Sequence, residues 1–262
     1  MKNRDIQTVS SKLIKTRLLL GGKLAIHVPA AAPFSGAGLK EMLGKYGMVY
    51  VKPDTGSQGV GIMRVERRAK GRYRYQAGLE RFEFDTYAGM YRSLRRGMGK
   101  RRHLIQQGVR VLRHEGRPFD FRVMAQKNAA GRWDVTGIAG RVAHPGKIVS
   151  NGSQGGSIFE AMRLLGPAAG RTGAVRAIGA MRRLALLTAG RFGSEYPAMN
   201  ELGIDIAVDR GMKPWILEVN TRPDPCPFAK LEDRTAIRRI VRYGRRYGRR
   251  YCLKCGKAKT GT

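Results

Sequence analysis

Two short apolar segments near the C-terminus, residues 204–208 and 215–219, constrain the fold more than any other part of the sequence. Each is too short for a stable helix, and the few residues between them permit only a tight reversal of the chain. The two segments therefore predict an antiparallel hairpin. Because tight hairpins outnumber the signals for parallel crossovers elsewhere in the chain, the sequence predicts an α+β protein rather than a doubly wound one.

The polar face of this hairpin predicts a metal site. A turn that pairs Asp209 with Pro214 sets Asp205 directly across from Glu218, and Asn220 follows on the same face. Carboxylate and amide oxygens suit Mg²⁺, so Asp205, Glu218 and Asn220 are expected to bind this ion. An ordinary hairpin whose polar face is solvated and paired with arginines is the alternative. The opposite, apolar face is assigned to Trp215, Leu217 and Val219.

A lysine at the end of a predicted strand, Lys52, precedes a glycine-rich loop at residues 56–61. Small residues let backbone N–H groups approach phosphate oxygens, and the ammonium group adds a fixed positive charge. The segment is not a P-loop, because there the lysine follows the glycines and opens a helix. The pattern favours phosphate binding, and a hairpin turn that merely requires glycine is the alternative.

The rest of the chain mixes short strands with helices. Strands are predicted on both sides of the glycine-rich loop, within residues 48–65, and at residues 103–107. A further hairpin is predicted from residues 119–127 and 132–141, which flank a run of turn residues. Helices are predicted at residues 5–20, 39–46, 86–96 and 174–192.

The charge of the chain is strongly positive, with 51 lysines and arginines against 19 acids and a net charge of +32. Such a field favours polyanionic partners, among them nucleotides, nucleic acids and anionic polymers. Residues 234–262 contain no acid, and an apolar stripe within residues 237–251 predicts a docked helix with a solvated basic face. Contact between this basic segment and an anionic polymer is the alternative.

The sequence predicts no membrane span, since no apolar stretch approaches the length of about 20 residues that a span requires. A cytoplasmic location is the resulting expectation. Three cysteines are too few for a disulfide framework, which suits a reducing compartment. Cys252 and Cys255 have the spacing of a zinc knuckle, but a second pair is missing, so they are expected to be a reduced pair in the tail.

Lys52 with its glycine-rich loop, followed by the acidic hairpin, resembles the ATP-grasp superfamily. Further motifs narrow the resemblance to the YheC/YheD-type ATP-grasp proteins associated with endospores, over about residues 10–240. The resemblance implies two α+β lobes in residues 1–233 with a boundary near residues 108–118, followed by a basic helix and tail in residues 234–262. The motifs that carry it are Tyr50-Val51-Lys52-Pro53, Gly56-Ser57-Gln58-Gly59, Gln106-Gln107-Gly108-Val109, Phe119-Asp120-Phe121-Arg122-Val123 and Asn151-Gly152-Ser153-Gln154-Gly155-Gly156.

The resemblance also implies roles for individual residues. ATP would lie between the lobes, and the acidic hairpin would hold one or two Mg²⁺ ions. Arg122 would help to stabilise an acyl phosphate or, alternatively, pair structurally with Asp120. The other implied contacts are Lys12 and Lys52 with the ATP phosphates; Gly56, Ser57, Gln58, Gly59 and Gly61 as a lid; Gln106, Gln107 and Val109 with adenine; and Arg141 and Asn151 with the acyl phosphate.

The implied reaction is a ligation in which ATP phosphorylates a carboxylate and an amine or thiol then displaces phosphate. The carboxylate and the nucleophile are unknown. The second hypothesis is a low-turnover ATP-binding structural protein associated with the spore coat. The third is a basic nucleic-acid-binding protein, which the two lysines and the acidic hairpin disfavour.

Overall fold

The computed structural model describes residues 8–150, 155–253, 255 and 259–261. Six strands form the first sheet: β1 (Ala31–Pro33), β2 (Met48–Pro53), β3 (Met63–Arg67), β4 (Tyr73–Ala77), β5 (Glu80–Phe84) and β6 (His103–Gln107). Their order is β1-β6-β2-β3-β4-β5, and all neighbours are antiparallel. The strands predicted on both sides of the glycine-rich loop and at residues 103–107 are therefore confirmed.

Seven strands form the second sheet: β7 (Arg113–His114), β8 (Arg117–Lys127), β9 (Trp133–Val142), β10 (Ser157–Phe159), β11 (Glu201–Val208), β12 (Pro214–Asn220) and β13 (Lys259–Thr260). Their order is β12-β11-β8-β9-β10-β13, and β7 pairs with β8 outside this path. Only the short pair of β10 with β13 is parallel among the described strands. The predicted β8–β9 and β11–β12 hairpins are both present.

The helices cover these sheets, and three of the predicted ones are longer than expected. The helix predicted at residues 5–20 begins only at Lys12. The predicted helix at residues 174–192 begins much earlier, although Gly170 interrupts its helical backbone with a φ of 62°. Within the described residues no helix is long and apolar enough to cross a membrane. The helices are α1 (Lys12–Leu19), α2 (Gly36–Tyr46), α3 (Tyr87–Met98), α4 (Ala161–Glu195), α5 (Cys226–Ala229) and α6 (Thr235–Arg246).

Alternation along β8 decides what packs on each face of the second sheet. Phe121 and Val123 are fully buried in the core that includes α4. Met124 points the other way, into the core formed with α5 and α6. Asp120 and Arg122 share the face of Met124 and lie beyond the end of that core. The sequence of β8 thus places two charged side chains beside, and not beneath, the C-terminal helices.

The pairing of β11 with β12 in the acidic hairpin agrees with the prediction at Asp205 but differs from it near the turn. Asp205 pairs with Glu218 as predicted, but Ile206 pairs with Ile216, so Leu217 is an extra residue in a β-bulge. The predicted pairing of Asp209 with Pro214 is therefore wrong.

The bulge also corrects the assignment of the apolar face. Ile216 and Val219 lie in the core, whereas Leu217 turns away from it. The Trp215 indole donates a 2.8 Å hydrogen bond to Asp209, whose other carboxylate oxygen accepts from two backbone N–H groups of the turn. Of Trp215, Leu217 and Val219, which were assigned to the apolar face, Val219 alone is buried in the core.

The C-terminal segment is docked on the second sheet, as predicted. The apolar side of α6 is buried at Ile237 and Ile240, and its arginines face solvent. Beyond the helix, Tyr247 donates a 2.9 Å hydrogen bond to the buried carboxylate of Glu201, and Arg249 Nε lies 3.0 Å from the same group. These contacts with the buried carboxylate of Glu201 hold the tail that follows the helix. The helix itself ends at Arg246, earlier than the predicted stripe, which extends to residue 251.

The expectation of a reduced Cys252/Cys255 pair is wrong. Cys255 forms a disulfide with Cys226, which directly follows the loop after β12, and their Cα atoms are 5.4 Å apart. Cys252 is exposed and free. Sequence spacing could not reveal this pairing, because the two cysteines are brought together only when α6 docks and the tail returns to the sheet.

Reduction of this disulfide is expected to lower the free energy of unfolding by about 3 kcal/mol, since the bond closes a loop of 29 residues. For a chain of this size the melting temperature should fall by roughly 6–12 °C. Thermal unfolding with and without a phosphine reductant measures the effect. Cys226→Ser should melt like the reduced protein, and Cys252→Ser should melt like the wild type. Equal melting temperatures in both conditions would rule out a stabilising disulfide.

Candidate functional site

A cleft of about 700 Å³ lies between the two sheets. The first sheet contributes Lys52 and Gln106 to its lining, and the second contributes Asp120, Asp205 and Glu218. The structure therefore brings together residues that the sequence places far apart. Lys52 on one wall faces carboxylates on the other.

Lys12 and Lys52 reach the same carboxylate region from two elements. Lys12 Nζ lies 3.7 Å from Glu218 Oε1 and donates a 2.9 Å hydrogen bond to the carbonyl oxygen of Gly56. Lys52 Nζ donates a 2.5 Å hydrogen bond to Gln106 Oε1. Both lysines are 8% exposed, and burial lowers the pKa of Lys52 below its ordinary value.

The N-terminus of α1 is fixed to the end of β2, which explains why Lys12 meets the glycine-rich loop. Ser11 caps the helix by accepting from the N–H of Ile14 and also donates to Asp54, at 3.0 Å. The same Asp54 carboxylate accepts from the N–H of Leu13 at 2.9 Å. One turn of helix is thus tied to the residue that opens the loop.

Asp205 is bound by two arginines. Arg122 donates from Nε to Oδ1 at 2.5 Å and from Nη2 to Oδ2 at 3.2 Å. Arg141 Nη2 lies 3.1 Å from Asp205 Oδ2, and the same guanidinium donates two 2.7 Å hydrogen bonds to Asp120. All four side chains are nearly buried, and their two positive and two negative charges balance.

The alternative prediction, that Arg122 pairs structurally with Asp120, is therefore wrong. The two residues are neighbours on one face of β8, but the adjacent strands place an opposite charge directly across from each. Asp120 pairs with Arg141 on β9, and Arg122 pairs with Asp205 on β11. Cross-strand partners lie closer than neighbours two residues apart on one strand, so the cross-strand ion pairs form.

These ion pairs fix the charge of the cluster. Burial alone would raise the pKa of Asp205, but the charges and hydrogen bonds of Arg122 and Arg141 outweigh it and hold the pKa below its ordinary value. Burial alone would lower the pKa of Arg141, but Asp120 and Asp205 raise it. Asp205 is therefore an anion and Arg141 a cation at neutral pH.

Glu218 and Asn220 complete the candidate metal site. Glu218 lies across from Asp205, and Asn220 Nδ2 lies 3.4 Å from Asp205 Oδ2. Two carboxylates and an amide suit Mg²⁺ when phosphate oxygens supply the remaining ligands. The donor set therefore fits Mg²⁺, although Asp205 shares its oxygens with two arginines. No cluster of three or more His, Cys, Asp or Glu side chains able to hold a metal occurs in the described part of the chain.

The strand β6 supplies the wall opposite this acidic end. Gln106, Gln107 and Val109 all line the cleft. The Gln106 side chain accepts from Lys52 and donates from Nε2 to the carbonyl oxygen of Leu217 at 3.2 Å, so it joins the two sheets. Gln107 Oε1 accepts from the N–H of Ala30. Gln106 therefore orients the lysine as well as lining the cleft.

The glycine-rich loop lies exposed at the rim of the cleft. Gly61 has a φ of +75°, and a Cβ there would lie 3.0 Å from Pro53, so the turn requires glycine. Gly59 and Gly61 line a neighbouring cavity together with residues 147–149. Gln76 Nε2 donates a 2.6 Å hydrogen bond to the carbonyl oxygen of Gly146, which joins that segment to the first sheet. Ser57 and Gln58 are exposed in the same loop, and Asn151 lies outside the described residues.

Several cleft residues were not identified from the sequence. Ile62, Val149 and Leu217 supply apolar surface to the cleft. Leu217 could not be found, because only the bulge turns it toward the cleft. Lys15 is buried on the same helix as Lys12. Because residues three apart on a helix lie on the same side, this spacing could have identified Lys15 from the sequence.

A cleft between two sheets, with Lys52 on one wall and an acidic hairpin on the other, is the arrangement typical of the ATP-grasp class. The sequence profile of the YheC/D-like ATP-grasp family matches residues 11–250. The chain therefore belongs to the YheC/D-like ATP-grasp family, as the sequence motifs predicted.

A similar protein is the endospore coat-associated protein YheD of Bacillus subtilis (strain 168), which is 29% identical over 197 residues. The match covers 73% of this chain and 43% of that protein, so the chain spans less than half the length of this relative.

Solved structures share the ATP-grasp fold. D-alanyl-alanine synthetase A from Vibrio cholerae O1 biovar eltor str. N16961 superposes with a TM-score of 0.51 and 15% identity, over 92% of this chain and 62% of that one. N5-carboxyaminoimidazole synthase from Aspergillus clavatus, in complex with ADP and 5-aminoimidazole ribonucleotide, gives a TM-score of 0.51 and 11% identity, over 83% and 46%. At these identities the likeness concerns the fold, which is α+β as predicted.

Proposed function

We propose that the cleft binds ATP with Mg²⁺ and that the protein is a carboxylate–amine or carboxylate–thiol ligase that acts through an acyl phosphate. The observation that carries this proposal is the ion pair of Lys12 with Glu218, which lies across from Asp205. Lys52 lines the main cleft together with both of these carboxylates. Family membership supports ATP and a divalent metal in general.

Each wall of the cleft has a part in this proposal. Lys12 and Lys52 bind the phosphates, and the loop at residues 56–61 covers them. Gln106, Gln107 and Val109 contact adenine. Asp205, Glu218 and Asn220 hold Mg²⁺, which would neutralise phosphate charge when bound.

Two arginines, Arg122 and Arg141, have two roles in this proposal. Arg122 and Arg141 keep Asp205 ionised and in place. In this proposal Arg122, Arg141 and Asn151 would also stabilise the acyl phosphate. Positioning and charge neutralisation provide most of the catalysis in phosphoryl transfer, so no protein nucleophile is required. The carboxylate substrate and the attacking amine or thiol are not assigned.

Glu218→Ala tests the nucleotide and metal part of the proposal. Mg²⁺–ATP is expected to raise the melting temperature of the wild type, and the variant should lose this shift because its remaining ligands cannot hold the metal. Differential scanning fluorimetry with and without EDTA measures the effect. Glu115→Ala, an exposed acid in the turn between β7 and β8, is the matched control and should keep the full shift. An unchanged shift in Glu218→Ala would contradict the assignment.

A low-turnover, ATP-binding protein of the spore coat is the second candidate, favoured by the likeness to a relative with that printed association. A screen for ADP and phosphate release against amino acids, peptides and cell-wall precursors separates the two. ADP that forms only with a particular acid supports the ligase. ATP binding without release in any mixture supports the structural protein, with a spore-associated rather than a general cytoplasmic location.

Contact with an anionic polymer through α6 is a further part of the proposal. Arg238, Arg242 and Arg245 are exposed on successive turns and have no carboxylate within salt-bridge distance among the described residues. Steeply salt-dependent binding of DNA that persists in Glu218→Ala would instead favour the basic nucleic-acid binder.

A further inference from the structure

Lys15 is a largely buried lysine, 6% exposed, that lines a small cavity, and its side chain has no hydrogen-bond or ion-pair partner among the described residues. An unpaired buried charge is costly, so such groups are paired or bind a ligand. Lys15 therefore needs an explanation beyond the packing of α1.

The surroundings of Lys15 point to a specific kind of ligand. Lys15 lies three residues after Lys12, on the same side of α1. Both line a small cavity together with Lys52 and Glu218, and these last two residues also line the main cleft. Among the described residues that line this cavity, the three ammonium groups share one carboxylate, that of Glu218. The nearby Asp205 is already paired with Arg122 and Arg141.

This excess of positive charge is a property of the folded chain. Burial lowers the pKa of Lys15 and the nearby Lys12 lowers it further, and the carboxylates of Glu218, Asp205 and Asp54 offset this only in part. Repulsion between the three ammonium groups therefore destabilises the site, and a multiply charged anion would offset this repulsion. A single carboxylate, such as Glu218, balances only one of the three lysines.

We propose that Lys12, Lys15 and Lys52 form a three-ammonium site for a multiply charged phosphoryl group, and that Lys15 makes ligand binding depend on the terminal phosphates. The group comes either from a nucleotide or from free pyrophosphate. The nucleotide arm of this inference rests on the ATP site proposed above, whereas the pyrophosphate arm does not.

Lys15→Met is the decisive variant, because it removes the charge and keeps an unbranched chain of similar length. Without ligand, its melting temperature should rise by a few degrees, since an uncompensated buried charge is gone. In titrations of ATP with Mg²⁺ present, and of pyrophosphate with EDTA present, the affinity of the variant should fall by about 10-fold or more. Its affinity for adenosine should stay within about twofold of the wild type, because adenosine carries no phosphate.

Two further variants separate binding from packing. Lys15→Arg keeps the charge and should retain more affinity for ATP than Lys15→Met. Lys23→Met removes an exposed lysine just beyond α1 and should change neither stability nor affinity. A lower melting temperature in Lys15→Met, with unchanged affinity for ATP and pyrophosphate, would show that Lys15 is structural and overturn the inference.

The outcomes also separate this inference from the proposed function. If the wild type binds ATP and Lys15→Met binds it equally well, the three-ammonium site is wrong and the ATP site stands. If the wild type binds pyrophosphate through Lys15 but neither ATP nor adenosine, the anion site stands and the proposed function is wrong. If the wild type binds none of the three, both are wrong.

Discussion

Replacement of Lys52 by methionine is expected to weaken ATP binding by about 10- to 100-fold, the equivalent of one charge-assisted hydrogen bond. Lys52 is 8% exposed and lines the main cleft together with Asp205 and Glu218. Its ammonium group is held by Gln106, so it is oriented before ligand arrives and little entropy is lost on binding. Isothermal titration calorimetry with Mg²⁺–ATP measures the loss.

The matched control for this variant is Lys45→Met, which removes an exposed lysine from the last turn of α2. It should bind ATP like the wild type. The melting temperature of Lys52→Met without nucleotide should change by only a few degrees, because its hydrogen bond and its desolvation cost act in opposite directions. Equal affinity in Lys52→Met and the wild type would remove Lys52 from the phosphate site.

Replacement of Arg141 by methionine is expected to lower the free energy of unfolding by about 3–5 kcal/mol. Arg141 is 2% exposed and donates two hydrogen bonds to Asp120 as well as one ion pair to Asp205. Its loss leaves a buried carboxylate with no cation and another with only one. Urea unfolding at neutral pH measures the change.

The pH dependence of the Arg141 variant gives an independent check. The pKa of Asp205 is lowered in the folded wild type, so its ion pairs contribute stability above the unfolded value of about 3.9. That stability is lost as the pH falls through the lowered pKa, so the difference between wild type and variant should shrink below about pH 4. The exposed Arg132→Met is the control and should unfold like the wild type at every pH. A difference that stays constant down to pH 3 would contradict the ion-pair explanation.

The local features of the site were predictable because they depend on short stretches of chain. Alternation placed Asp205, Glu218 and Asn220 on the polar side of the hairpin. The register predicted from the turn was off by one residue, and Asp205 nevertheless pairs with Glu218 because the bulge at Leu217 offsets this error. The position of Lys52 before the glycine-rich loop needed only the strand–loop–strand pattern, and β2 and β3 confirm it.

The features that the sequence did not reveal depend on contacts across the fold. The bulge at Leu217 is a one-residue irregularity that alternation cannot anticipate, and it changes which side chains face the cleft. Arg122 finds its partner on β11, which is more than 80 residues away in sequence. The disulfide between Cys226 and Cys255 likewise depends on the docking of α6.

Titration of the wild-type protein with ATP, with and without Mg²⁺, tests the central claim most directly. The cleft, with its lysines and acidic hairpin, predicts saturable binding of one ATP per chain that Mg²⁺ strengthens and that a Glu218→Ala variant loses. Calorimetry on folded protein that shows no heat of binding for ATP at any Mg²⁺ concentration, with no protection of the cleft strands β6 and β12 from hydrogen exchange, would contradict the claim.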